Sequence, residues 1–187
     1  MKTKNIVGVG LFTAIVVVLQ LLGGGIKFGM FSISLVLIPI VVGAAVYGWG
    51  AGAWLGFAFG VTVLLSGDAA AFMVVDPIAT VLVVLVKGTM CGLCSGICYR
   101  VLSRKNEVAG VMIAAVVCPV VNTGLFLLGC QLFFIDTIAQ WAAAAGFASV
   151  GNYMIIGLAG FNFLFEVCVN LILAPVITRI IHLARNK

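Results

Sequence analysis

Long apolar segments, separated by short polar or Gly/Pro-rich connections, dominate the pattern along this chain. A membrane-spanning helix needs about 20 apolar residues, and the segments approach or exceed that length. We therefore predict an all-α integral membrane protein, a compact bundle of six transmembrane helices in one membrane domain, 1–187. The predicted helices cover residues 6–23, 32–48, 50–67, 77–100, 108–129 and 151–181.

Two stretches are less clear than the rest. The run Phe31–Ser66 is about twice one bilayer crossing, so we predict a tight helical hairpin that turns at Tyr47-Gly48-Trp49-Gly50. The stretch Cys130–Val150 is interrupted by Asp136 and Gln140, and we interpret it as an external loop with an interfacial or re-entrant helix.

The composition supports a membrane protein and argues against a soluble one. Of the 187 residues, 64% are hydrophobic and 8% are charged, which leaves too little polar surface to coat a water-soluble globule. After six spans and their connections, the length leaves no room for a soluble catalytic domain.

Basic residues are concentrated where the predicted topology has its cytoplasmic side. Positive residues that flank spans stay inside, so both termini of this multi-pass membrane protein are predicted to be cytoplasmic. The net charge of +5 is therefore a topology signal, with membrane lipid as the surroundings and no nucleic-acid partner. The eight residues on this side are Lys2, Lys4, Arg100, Arg104, Lys105, Arg179, Arg185 and Lys187.

Glycines recur every fourth residue in two neighbouring spans. Small residues at this spacing let helices approach closely in lipid, and we favour packing within the protein over a subunit contact. The first span has a shorter version, Gly10 and Ala14, for which both interpretations remain open. The two longer series are Gly48, Gly52, Gly56, Gly60 and Gly88, Gly92, Gly96.

Two charged residues, Lys87 and Glu166, lie deep inside apolar segments. An ionisable group in hydrocarbon is costly, so such residues are functional hypotheses. Glu166 shares a helix face with Asn162 and Asn170, and a polar stripe of this kind must face the bundle interior or a wet cavity. Lys87 and Glu166 are at similar depth, which allows either a structural ion pair or a shared ligand site; lipid snorkelling of Lys87 is a third possibility.

The ligand interpretation predicts a cavity near the membrane midplane that opens to the outside and is also reached by Asn122. Trp141, Asn152 and Tyr153 belong to the outer connections and would cap such a cavity by stacking and hydrogen bonding. An interfacial aromatic belt explains single aromatic residues equally simply.

Catalytic and metal chemistry are not indicated. The sequence has no phosphate-binding loop, nucleophile elbow or metalloprotease motif, so no enzyme and no cofactor are expected. Cys91, Cys94 and Cys98 share a helix face, but no His or carboxylate accompanies them, and we interpret them as small packing residues rather than metal ligands.

Over essentially its whole length, the chain resembles the substrate-binding S component of an energy-coupling factor (ECF) vitamin transporter. The features that carry this resemblance are six helices, both termini inside, a small-residue pair on the first helix, and several motifs in a fixed order. The stretches concerned are Gly10 and Ala14, Ile33-Ser34-Leu35 through Ile38-Pro39-Ile40, Tyr47-Gly48 to Gly56, and Asp76-Pro77 with Lys87-Gly88 and Gly96.

The resemblance implies a multi-pass protein of a prokaryotic cell membrane that captures a vitamin or related micronutrient outside and associates with a transmembrane T component and two cytoplasmic ATPase subunits. It further implies that Gly10 and Ala14 contact the T component, and that external loops with helices four to six shape the substrate site. Pantothenate is the leading substrate guess and riboflavin a close competitor. The substrate-binding candidates are Lys87, Asn122, Trp141, Asn152, Tyr153, Asn162 and Glu166.

A protein of another class is the main alternative. An autonomous small secondary carrier, or a self-assembling channel with the glycine series as subunit contacts, would have the same hydrophobic pattern. A structural scaffold comes third.

Overall fold

The computed structural model of the chain describes residues 3–23, 27–28, 31–32 and 35–185. Within these ranges, five helical stretches are long and apolar enough to cross a membrane, which confirms an all-α membrane architecture. The elements in chain order are α1 (Thr3–Gly23), β1 (Lys27–Phe28), β2 (Phe31–Ser32), α2 (Leu37–Tyr47), α3 (Trp49–Ser66), α4 (Ala70–Met73), α5 (Pro77–Leu102), α6 (Glu107–Phe133), α7 (Ile135–Ala144), α8 (Val150–Asn152), a π-helix (Tyr153–Gly160) and α9 (Phe161–Arg185). The two short strands pair antiparallel with each other.

The second helix is shorter than the predicted span 32–48. It has 11 residues, a length of about 16 Å, which is roughly half of a bilayer's hydrocarbon core. Ile33 and Ser34, which belong to the predicted span, lie outside the described residues, as do the terminal Lys2 and Lys187. The helix is nevertheless fully packed, since Leu37 and Ile40 have no exposed surface.

The predicted turn between the second and third helices is confirmed. Gly48 has φ +96°, a value that L residues rarely adopt, and its N–H donates to the Ala44 carbonyl at 3.0 Å. This geometry ends α2 and lets α3 begin at the next residue, Trp49.

The last two spans are longer than predicted. Helix α6 continues to Phe133 instead of residue 129, and it is followed by α7 inside the stretch interpreted as a loop with an additional helix. The final stretch begins with eight residues of π-helix and continues as α9 to Arg185. A π-helix is a rare, wide turn that often occurs at functional sites.

Glycine packing joins α3 to α5, as predicted from the four-residue spacing. A Cβ added to Gly52 would lie 2.5 Å from the Gly92 carbonyl oxygen, and one added to Gly88 would lie 2.5 Å from that of Gly56. Real Cβ atoms essentially never approach so closely, so the two backbones are in direct contact. Gly48 is the exception, because its role is in the turn.

Hydrogen bonds hold α5, α6 and α9 together. The Ser95 hydroxyl donates to the Ala114 carbonyl at 3.1 Å, and Asn170 Nδ2 donates to the Ala115 carbonyl at 3.1 Å. Pro119, four residues after Ala115, has no N–H and cannot make the usual helical bond to that carbonyl. Asn170, one member of the predicted polar stripe, supplies the donor that proline lacks.

Helix α1 has one attached face and one exposed face. Gly8, Phe12, Val16 and Gln20 follow at four-residue spacing on the attached face: Val16 and Gln20 are buried, and Gly8 and Phe12 approach Tyr47. The Trp54 indole N–H also donates to the Thr13 hydroxyl at 3.2 Å. The other face is exposed, and it contains the predicted partner residues Gly10 and Ala14.

Most charged residues outside the cavity lie at one of the two ends of the bundle according to their sign, with Glu107 and Lys27 as exceptions. We name the ends by their charge, acidic and basic. The acidic end has Asp68, Asp76 and Asp136, and the basic end has Arg100, Arg104, Lys105 and Arg179. The orientation of these ends in a membrane stays a prediction from the positive-inside rule.

The glycine contact gives a first testable prediction. We expect Gly56→Ala to lower the thermal stability of the detergent-solubilised protein, because the new methyl group would press on the Gly88 carbonyl oxygen. Overpacking of this kind costs about 1–3 kcal/mol, which outweighs the roughly 0.5–1 kcal/mol that alanine gains in a helix.

Gly124→Ala is the matched control, because nothing lies within 4 Å of a Cβ at that helical position. It should keep or raise the melting temperature. Equal melting temperatures for the two variants would contradict the close contact of α3 with α5.

Candidate functional site

A cavity lies in the bundle toward its acidic end. It is bounded by α3 and α5 on one side and by α6, the π-helix and α9 on the other, with α1 and α4 closing its end. Its volume is about 100 Å³. The side chains of its wall that matter below are Gln20, Phe59, Asp68, Phe72, Lys87, Asn122, Phe126, Cys130, Phe134, Asn162 and Glu166.

Lys87 projects from α5 into this cavity between aromatic rings. Its Nζ lies 5.2 Å from the centroid of the Phe126 ring and 6.0 Å from that of Phe59, so both rings are placed for cation–π attraction. Lys87 directly precedes Gly88, and Gly88 contacts the Gly56 backbone. The close packing of α3 on α5 therefore fixes the position of Lys87.

Glu166 lies on the opposite wall, on α9, and only 7% of its surface is exposed. Among the described carboxylates, its charge acts most strongly on Lys87, and Asp68 acts more weakly. Lys87 and Glu166 therefore place opposite charges on facing walls of one cavity.

Two amide side chains on the cavity wall have an unsatisfied acceptor. The Oδ1 atoms of Asn122 and Asn162 are buried, and neither accepts a hydrogen bond from any described residue. Leaving such an atom unpaired costs about 1–3 kcal/mol, so native structures rarely do so without a reason. Rotation of either amide would offer hydrogen-bonding atoms to a molecule in the cavity.

Aromatic side chains form the cavity wall at the acidic end. Phe72, on the short helix α4, packs edge-to-face on Phe126, Phe134 and Trp141, with ring centroids 5.7, 5.1 and 5.3 Å away. This cluster gives the cavity an apolar surface suited to a ring or chain of a ligand. Sequence reasoning missed Phe72 and Phe126, because Phe is common on lipid-facing surfaces.

Sequence reasoning also missed a polar side chain at this end of the cavity, that of Gln20. Gln20 of α1 donates from Nε2 to Asp68 Oδ2 at 2.6 Å, and the Ser66 hydroxyl donates to the same oxygen at 3.2 Å. Gln20 is the one amide in the first apolar segment, and this was the signal that could have identified it.

The structure brings together Lys87, Asn122, Asn162 and Glu166 of the substrate-binding candidates, and leaves the other three away from the cavity wall. Trp141 packs behind Phe72, and Tyr153 is buried against Phe147, with ring centroids 5.2 Å apart. Asn152 is exposed. The reason is that α7 and the start of the last span form a second apolar layer over the cavity end.

In the described part of the chain, the cysteines are free, and no group of three or more His, Cys, Asp or Glu side chains is placed to hold a metal. What the cavity offers is one ammonium group, carboxylates, amides and aromatic faces. This combination is chemically suited to a small molecule with an apolar ring or chain and polar substituents.

The chain was compared with families, curated proteins and solved structures. A family model described as "ECF transporter, substrate-specific component" matches residues 4–178. No curated protein matches the chain. A solved structure of ThiT from Listeria monocytogenes is similar, with a TM-score of 0.69 and 18% sequence identity over 97% of this chain and 95% of that one. At this identity, the structural similarity shows a common fold and leaves the ligand open.

A pair of amide substitutions tests whether Asn122 has a binding or a structural role. We expect Asn122→Leu to leave the melting temperature unchanged or higher, because it removes an unsatisfied buried oxygen and the adjacent cavity has room for the larger side chain. If native mass spectrometry of the purified protein shows a bound small molecule, its affinity for Asn122→Leu should be at least tenfold weaker, as measured by calorimetry.

Asn170→Leu is the matched control. It removes a satisfied amide and leaves the Ala115 carbonyl without its donor, so it should cost about 1–3 kcal/mol of stability. If Asn122→Leu is as destabilised as Asn170→Leu, then Asn122 has a structural role.

Proposed function

Because the chain belongs to the ECF transporter substrate-specific component family, we propose that it captures a vitamin or related micronutrient outside the cell and passes it to a transport complex. The family is one of multi-pass membrane proteins that bind a transport substrate, so the chain is a transport component and not an enzyme. The observation that supports the proposal is the convergence of Lys87, Glu166, Asn122 and Asn162 on one cavity.

Pantothenate is the substrate that we put first. Its carboxylate would bind the Lys87 ammonium, while its amide and hydroxyl groups would bond to Asn122, Asn162 and Glu166. The cavity is smaller than the roughly 300–1,000 Å³ of typical ligand pockets, so side chains must move apart for any vitamin. A slender, flexible ligand requires less of this movement than the rigid three-ring system of riboflavin, which remains the second candidate.

Thiamine is a third candidate, suggested by the name of the structural neighbour ThiT. It is a cation, so Lys87 would repel it while Glu166 and Asp68 would attract it. The charge of Lys87 therefore distinguishes the candidates. Loss of that charge weakens binding of an anion and strengthens binding of a cation.

Ligand binding can be tested in two steps. Native mass spectrometry of the purified protein should show a co-purified small molecule, and calorimetry with pantothenate, riboflavin and thiamine should identify which of them binds. We expect Lys87→Met to weaken pantothenate binding about 10- to 100-fold, since a charged hydrogen bond contributes about 1.5–3 kcal/mol. Lys105→Met, on the exposed connection between α5 and α6, is the control.

If Lys87→Met binds thiamine more tightly than the original protein does, the substrate is a cation and the assignment of pantothenate is wrong. Unchanged affinity for every bound ligand in both Lys87→Met and Glu166→Gln would contradict the assignment of this cavity as the substrate site.

The proposed partners are a transmembrane T component and two cytoplasmic ATPase subunits. Gly10 and Ala14 support a contact through α1, because both are exposed and a Cβ on Gly10 would meet nothing within 4 Å. A flat face of small residues lets another helix approach closely in lipid.

We expect Gly10→Leu to abolish co-purification with the T component while ligand binding is retained, because the added side chain holds the partner helix away. The comparison variant is Gly124→Leu, which adds the same bulk to an open, exposed position on α6. Loss of the complex in both variants, or in neither, would contradict a specific contact at α1.

The alternative of a self-assembling channel loses its main support. It relied on the glycine series as subunit contacts, and these glycines are used inside the protein between α3 and α5. Ion-driven uptake by the chain alone would still favour an autonomous carrier.

A further inference from the structure

Gln20 is a polar residue on a helix that is otherwise apolar at this depth. Only 2% of its surface is exposed, and its Nε2 atom donates to Asp68 Oδ2 at 2.6 Å. Both side chains line the cavity, so this hydrogen bond is part of the wall. It is a contact between α1 and the segment that follows α3.

Asp68 lies in the turn that positions α4. Gly67, with φ +81°, ends α3, and Ser66 also donates to Asp68. Four residues after Asp68, Phe72 packs on Phe126 and Phe134 and closes the acidic end of the cavity. A shift of Asp68 therefore moves the segment that holds Phe72 in place.

Helix α1 is the least embedded of the long helices. Of its spanning stretch, 11% of the residues are buried, compared with 50% for α3. Its exposed face includes Gly10 and Ala14, and its attached face ends with Gln20. A helix attached on one side moves at lower cost than one packed on all sides.

We infer that Gln20 is a positioning residue that couples the placement of α1 to closure of the cavity. The hydrogen bond to Asp68 keeps the turn and Phe72 in the closed position. A partner that draws α1 away from the bundle breaks this bond and opens the acidic end. The role of this coupling in transport rests on the proposed function, because it relates docking of the partner to access to the substrate.

Cys130 provides a reporter that requires neither ligand nor partner. It lines the cavity beside this end and is 1% exposed, so its thiol reacts only when the cavity opens. The probe is N-ethylmaleimide, applied to the full-length protein in detergent, with labelling of each cysteine followed by peptide mass spectrometry. We expect Gln20→Leu to raise the labelling rate of Cys130 about tenfold.

Thr13→Val is the matched control on the same helix. It removes the hydrogen bond from Trp54, which lies outside the cavity wall, and should change the Cys130 rate less than about twofold. Cys118 is buried in the core away from the cavity and should stay unlabelled in both variants. An unchanged Cys130 rate in Gln20→Leu, or a parallel rise at Cys118, would overturn the inference.

Exchanging the amide and the carboxylate between positions 20 and 68 distinguishes a positioning role of the hydrogen bond from a simple loss of packing. Gln20→Glu alone should raise the Cys130 rate, because two carboxylates repel each other and neither donates a hydrogen bond. Asp68→Asn alone should raise it less, because a weaker amide-to-amide bond replaces the bond to the carboxylate. The double variant restores that bond with donor and acceptor exchanged, so its rate should return to within about twofold of the original. Failure of the double variant to recover would show that the hydrogen bond does not close the cavity.

Displacement of α1 at its other end tests the coupling itself. A side chain on Gly8 would collide with the outer part of the Tyr47 ring, about 18 Å along the helix from Gln20, and one too bulky for that ring to move aside would push α1 outward. We expect Gly8→Leu to raise the Cys130 rate, whereas Gly50→Leu, at an open position, should not. Equal rates in these two variants would contradict transmission along α1. Because no vitamin is needed, these results remain valid even if the proposed substrate is wrong.

Discussion

The direct backbone contact between α3 and α5 is the constraint on which the rest of the structure depends. In lipid, association of helices gains little from hydrophobicity, so close packing must supply the attraction. Gly52, Gly56 and Gly88 remove the side chains that would separate the two backbones. Lys87 on α5 and Phe59 on α3 lie beside this contact, so the contact fixes where both side chains meet the cavity.

The cavity concentrates polar groups that an apolar bundle would otherwise exclude. Lys87 is accommodated by two aromatic faces and by the charge of Glu166, while the oxygens of Asn122 and Asn162 lack a donor among the described residues. Asn170, one helical turn beyond Glu166, has its donor satisfied by a backbone carbonyl. On α9, the satisfied amide of Asn170 therefore makes a structural contact, whereas the unsatisfied amide of Asn162 faces the proposed ligand site.

Much of the fold could be predicted because its signals are local. Length and hydropathy gave the long helices, and four-residue spacing gave the glycine contact. The short α2 was mispredicted because the boundary of an apolar run does not show where the helical backbone begins. In the cavity, Lys87 and Glu166 were found because charge is conspicuous in an apolar segment, whereas Phe72 and Gln20 depend on how helices are rotated against each other. Trp141 and Tyr153 were predicted to cap the cavity and contact the substrate, and the structure packs them in an apolar layer over the cavity end, off its wall.

Pro119 and Asn170 have a consequence for how this sequence can change over evolution. Pro119 in α6 leaves the Ala115 carbonyl oxygen without its helical donor, and the side-chain amide of Asn170 in α9 supplies a donor instead. If Pro119 changes to alanine first, the new backbone N–H can bond to the Ala115 carbonyl, and the Asn170 amide becomes dispensable. If Asn170 is lost first, the Ala115 carbonyl has no donor. The two positions are therefore epistatic, and the order in which they mutate determines whether the intermediate sequence is stable.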